Sequence, residues 1–179
     1  MIDGTPVRRE DTMPPSTPAK TLCCHRRYSL AAAYADAVTG RAAGRHRLSL
    51  QKRLGYSLLR ATIAGLRTHA PAAFPVVVRT GGVPVTMDGF CIRRRSRFVI
   101  HLGDRLSPSN SVAVLIHEWA HARSWSHYLD RAARDVRAGT ITEEEFDEIS
   151  HGPAFGVEYA ACWRVFSGIV LPAVSEGRF

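Results

Sequence analysis

The stretch "SVAVLIHEWAHARSW", residues 111–125, constrains this chain more than any other. Its apolar residues continue past one helical face, so a helix here belongs in a core, yet it carries two histidines and a glutamate in the pentapeptide His117-Glu118-Trp119-Ala120-His121. Residues four apart stand one turn above each other on the same side of a helix, so His117 and His121 can direct imidazole nitrogens at one point. A buried glutamate between them is costly unless a metal or another partner justifies it. The pattern is H-E-x-x-H, in which two histidines bind Zn²⁺ and the glutamate serves as general base toward a metal-activated water. The helix should begin at Ser107-Pro108, with Ser107 as N-cap and Pro108 at the first helical position, and run to about Ser124.

The rest of the chain supplies a setting for that helix. With 179 residues and 45% hydrophobic content, one globular domain is expected. Residues 1–20 hold Pro6, Pro14, Pro15 and Pro18 without hydrophobic period and read as a disordered arm. A weak helical pattern covers Leu22 to Val38. A clearer one follows in "HRLSLQKRLGYSLLRATIAGLRTHA", where Leu50, Leu54, Leu58, Ile63 and Leu66 recur at helical spacing. After Pro71, "FPVVVRT", "VPVTM" and "FCIRRRSRFVIHL", separated by turns such as Gly81-Gly82, predict three or four short strands in a small antiparallel or mixed sheet. Two charged helices are expected over 129–139 and from Thr142, where Thr142 and Glu145 have capping-box spacing. A final helix starts after Pro153, with Phe155, Tyr159, Cys162, Trp163 and Phe166 on one stripe. The fold class is α+β.

Cys23, Cys24, Cys91 and Cys162 form no C-x-x-C pair and indicate neither a disulfide framework nor a zinc ribbon. Without a signal-like start or a run of about 20 apolar residues, the chain reads as soluble and cytoplasmic. Its net charge of +8 makes nucleic acid a candidate partner. Only Lys20 and Lys52 among 24 basic residues are lysines, however, so part of the arginine load reads as compositional habit.

A zinc site needs a third protein ligand, and His127, His151 and Glu158 are the candidates. His127 has the spacing of the extended motif H-E-x-x-H-x-x-G-x-x-H, but Ser124 replaces the required glycine and no later methionine exists to form the accompanying turn. Glu158 sits in a plausible helical setting. His151 opens "HGPAF", where Gly152 and Pro153 turn the chain so that the imidazole faces the first helix and Phe155 fixes the packing.

The combination of "LIHEWAHA" with "HGPAF" resembles the SprT-like (Spartan-type) zinc metalloprotease domain over residues 72–170. That resemblance implies a zincin-like catalytic core over 71–170, preceded by a helical section over 21–70. It implies His117, His121 and His151 as zinc ligands, Glu118 as catalytic base, and hydrolysis of peptide bonds, with the substrate extended along a sheet edge near Phe98–Leu102. Tyr128, Tyr159 and Arg123 are candidates for the oxyanion partner. The spacer 128–150 is long and reads as an insertion: a lid, a regulatory element or a solvated helix. No zinc ribbon follows the last helix, so the family's action on DNA-crosslinked proteins transfers only in part, with the basic N-terminal half as the candidate DNA surface. The rival readings are a zinc hydrolase of another amide and a basic nucleic-acid-binding module with an incidental or structural zinc site.

Overall fold

The computed structural model describes residues 45–178. The expected arm over 1–20, the weak helical pattern at 22–38 and the Cys23-Cys24 pair lie outside the described residues. The architecture is α+β. Helix α1 (Arg45–His69) leads into strands β1 (Val76–Thr80), β2 (Gly89–Arg94) and β3 (Arg97–Leu102). Helices α2 (Pro108–Ser124), α3 (His127–Arg137), α4 (Glu143–Ser150) and α5 (Pro153–Val165) follow, and a π-helical turn over Phe166–Val170 joins α5 to α6 (Leu171–Ser175).

The sheet is mixed, in the order β1-β3-β2. β3 pairs parallel to β1, Val78 opposite Ile100, and antiparallel to β2, Cys91 opposite Ile100. The hairpin β2–β3 is what "RRRSR" makes, with Arg94 opposite Arg97 at its tip. The segment "VPVTM", expected as a strand, is instead a loop: Gly81 and Gly82 take positive φ of 83° and 70°, and Arg105 fixes the far side by donating to the carbonyls of Pro84 and Met87. Pro84 within the segment lacks the N–H that a strand would need there. β3 is the central strand, so Phe98–Leu102 offers no free edge; β1 and β2 do.

The core lies between the sheet, α1, α2 and α5. Leu66, Ile100, Leu102, Leu115 and Ile116 are fully enclosed, and Trp119 fills the junction while its indole N–H donates to the Ala70 carbonyl at 2.8 Å. Burying a side chain of this size contributes about 1.5–3 kcal/mol, which α2 collects along its whole length because every residue from Val112 to Ala122 is buried. The continuous helical stretch Pro153–Ser175 is, by length and composition, apolar enough to cross a membrane, with a mean hydropathy of 1.3. Its Phe155, Cys162, Val165, Phe166 and Val170 belong to the main core, and Glu158 midway along it pairs with Arg123. Cys91 and Cys162 are both buried, and burial pushes the Cys162 thiol up to about 12.

Residues 128–150 fold as a helical hairpin with a small apolar cluster of its own. Leu129, Ala132, Ala133, Val136 and Phe146 form it, with Trp125, Ile141 and Ile149 packed against them. The expected capping box is present, Thr142 and Glu145 exchanging bonds of 3.1 and 2.6 Å.

Candidate metal centre

Helix α2 starts where its sequence dictates. Ser107 accepts from the Asn110 N–H, Pro108 holds the first turn, and the helix continues to Ser124. His117 and His121 are each 1% exposed, and their Nε2 atoms lie 3.1 Å apart. His151 comes from a different element. It is the C-cap of α4, with φ −96° and ψ 17°, while Gly152 is the N-cap of α5. It therefore stands at the junction of two helices instead of opening the second, and from there its Nε2 lies 3.2 Å from that of His117.

The ligand atoms of His117, His121 and His151 all fall within 4.8 Å of one another. An ion with metal–nitrogen bonds of about 2.0–2.1 Å in a tetrahedron places its ligand nitrogens roughly 3.3–3.4 Å apart. The two measured separations are close to that edge length. The tautomer of the third histidine is fixed as well. His151 Nδ1 lies 2.8 Å from the Asp147 carbonyl, which can only accept, so this nitrogen carries the proton and Nε2 presents its lone pair to the cluster. The Asp147 carboxylate is a further 3.4 Å neighbour of the same nitrogen. Three imidazoles converging in this way fit a divalent ion that accepts nitrogen ligands.

Phe155 is the wall of the cluster. Its ring centroid lies 4.9, 4.4 and 4.8 Å from those of His117, His121 and His151. Tyr159 stacks on Phe155 at 5.6 Å and comes within 5.8 Å of His117.

Glu118 is fully buried and makes no ion pair among the described residues. Burial raises its pKa well above the ordinary carboxylate value; a backbone hydrogen bond at Cys91 opposes the rise and the negative charge of Asp147 adds to it. It lies against β2, where a Cβ on Gly89 would stand 3.6 Å from the Glu118 Cγ. The same Cβ would be 2.4 Å from Val114 Cγ1 and 2.9 Å from the His101 carbonyl, so only glycine lets the strand come this close.

The remaining candidates fall elsewhere. Glu158 is held by Arg123, Nε to Oε2 at 2.5 Å, and Arg123 also donates to the Pro71 carbonyl, so neither is directed at the cluster. His127 is exposed on the first turn of α3, outside the group of three. Tyr128 is largely exposed. Of the three suggested oxyanion partners, only Tyr159 neighbours a cluster histidine. Sequence reading missed Asp147 and Gly89. The position of Asp147, four residues before His151 in a capped helix, was a usable signal; the role of Gly89 depends on packing that no local pattern encodes. No family model, no curated protein and no solved structure matches this chain.

Proposed function

We propose that the chain is a zinc-dependent peptidase of the SprT-like, zincin type, with His117, His121 and His151 as ligands and Glu118 as general base. The observation that carries this reading is the pair of 3.1 and 3.2 Å separations between imidazole nitrogens, with a buried glutamate next in sequence to the histidine they share. Zinc in such a site supplies Lewis-acid polarisation of a carbonyl and lowers the pKa of water beside it. Three protein ligands leave a fourth position for substrate, which is the arrangement of catalytic and not structural zinc.

Glu118 takes the proton from the attacking water and passes it to the departing amine, so that the C–O bond forms and the C–N bond breaks with no net gain of protons. Burial raises the affinity of its carboxylate for that proton. Asp147 holds the His151 ring by its carbonyl, and Phe155 excludes water from one side of the cluster. The substrate adds as a strand to the free edge of β2, whose Cys91 backbone neighbours Glu118. Arg94, Arg95 and Arg97 at the exposed hairpin tip favour substrates associated with DNA. Arg93 is not part of that group, because its guanidinium stacks 3.8 Å over Phe74.

Metal analysis with two variants tests the proposal. About one zinc per chain is expected, lost in His151→Ala and retained in Glu118→Gln, with unfolded casein cleaved by the parent protein alone. A chain without bound metal, or a Glu118→Gln variant as active as the parent, sinks the reading. A salt-sensitive shift of DNA mobility tests the DNA association separately.

A further inference from the structure

A cavity of about 150 Å³, with Phe155 in its lining, lies where the C-terminus of α2, the start of α3 and the α4–α5 junction meet. Its walls are Tyr128, Leu129, Ile149, Pro153, Ala154 and Phe155. Ser150 and Gly152, the two neighbours of His151, also line it, so the cavity touches the chain on both sides of the third ligand.

The chemistry of the lining narrows what can enter. No charged side chain faces the cavity. Its three serine hydroxyls are engaged locally: Ser124 with the His121 carbonyl, Ser126 with the Leu129 N–H, and Ser150 with the Asp147 carbonyl. An ionised group placed here would lose its water without gaining a counter-charge. An apolar cavity of about 150 Å³ accommodates a benzene ring, so the space suits one branched aliphatic or aromatic side chain. Tyr128, one of its walls, is 58% exposed, so the cavity opens to the surface.

We propose that this cavity receives an uncharged side chain of leucine or phenylalanine size from the polypeptide substrate, at a residue flanking the bond that is cleaved. The proposal rests on the peptidase reading, and its occupant follows from position: Phe155 lines the cavity and its ring lies 4.4 to 4.9 Å from all three imidazoles, centroid to centroid. Tyr128, Ile149 and Ala154 are then specificity-determining residues, contacting the substrate's side chain and not its reacting atoms.

The test measures binding to the zinc-loaded protein by calorimetry, using short hydroxamates that differ only in the side chain after the metal-binding group: hydrogen, isobutyl, benzyl or carboxymethyl. The isobutyl and benzyl compounds should bind about ten- to a hundredfold tighter than the hydrogen compound, and the carboxymethyl compound no tighter. Ala154→Trp, which fills the cavity from the helix surface, should erase that gain. Ile149→Ala should shift the preference toward benzyl. Equal binding of all four, or an equal weakening of all four in Ala154→Trp, overturns the proposal. A gap that Ala154→Trp erases, in a protein that cleaves no peptide, overturns the peptidase reading and leaves the cavity assignment standing. A metal-independent measurement covers a protein that takes up no zinc. Toluene should shift the methyl resonances of Leu129 and Ile149 in the parent and not in Ala154→Trp, and no shift in the parent overturns the assignment.

Discussion

His117 and His121 stand one turn apart on a helix in which every residue from Val112 to Ala122 is buried, whereas His151 caps an eight-residue helix whose only buried residues are Phe146 and Ser150. The first pair is held by the main core, Trp119 and Ile116 among it. His151 is held by a hairpin with a separate small cluster and by hydrogen bonds from its ring and its backbone N–H to the Asp147 carbonyl. Two of the three histidines are thus fixed by helical geometry, and the third by the packing of an element with little core of its own. Free energies of local opening follow such differences in buried apolar contact, so the hairpin should open well before α2 does.

Substitutions can set these two supports against each other. Replacing His151 with alanine should reduce metal affinity by more than the roughly 10–100-fold that losing a supporting hydrogen bond costs, with thermal unfolding of the metal-free protein nearly unchanged; equilibrium dialysis and calorimetry check both halves. Phe146→Ala should cost the hairpin about 3–5 kcal/mol. Amide exchange should then show α3 and α4 opening while α2 stays protected, and metal affinity should fall as His151 moves. If α2 loses protection equally, the two regions form one cooperative unit and the contrast is wrong.

Two glutamates separate the regions by pH. Glu118 is pushed up by burial, so the folded metal-free protein holds its proton more tightly than the unfolded chain. That contribution is complete below the ordinary carboxylate pKa and is lost as pH rises through the raised value. The metal-free protein should therefore lose that contribution as pH rises above the ordinary carboxylate range, and Glu118→Gln should flatten the curve. Glu145 is exposed and pulled down by its bonds to Thr142, so its contribution is present above the ordinary value and is lost as pH falls. The smallest effect expected is that of Thr142→Ala, about 1 kcal/mol from the lost cap, confined to the hairpin and read by amide exchange in α4.

The same contrast explains what the sequence made legible. The bounds of α2, its Ser107 cap and the inward pairing of His117 with His121 follow from local rules, as does the Thr142–Glu145 box. His151 was reached through "HGPAF", but its position as a helix cap was not, because Gly152 and Pro153 signal a helix start more strongly than the preceding residues signal a helix end. The strand order was illegible for a related reason. "RFVIHL" and "FPVVVRT" are both short β-branched runs, and nothing in either states that the later one lies between the earlier two. The edge available to a substrate consequently moved from β3 to β2. Glu158, a reasonable ligand by type and helical setting, is removed by Arg123, a partner thirty-five positions away that no periodicity reveals.

Gly89 has a consequence of its own. With Val114, the His101 carbonyl and the Glu118 side chain all within reach of a hydrogen atom's replacement, the gap between strand and site helix has no tolerance. Any side chain there would act as a wedge. The depth at which the glutamate sits is thus set by the one kind of residue that contributes no atoms to the site.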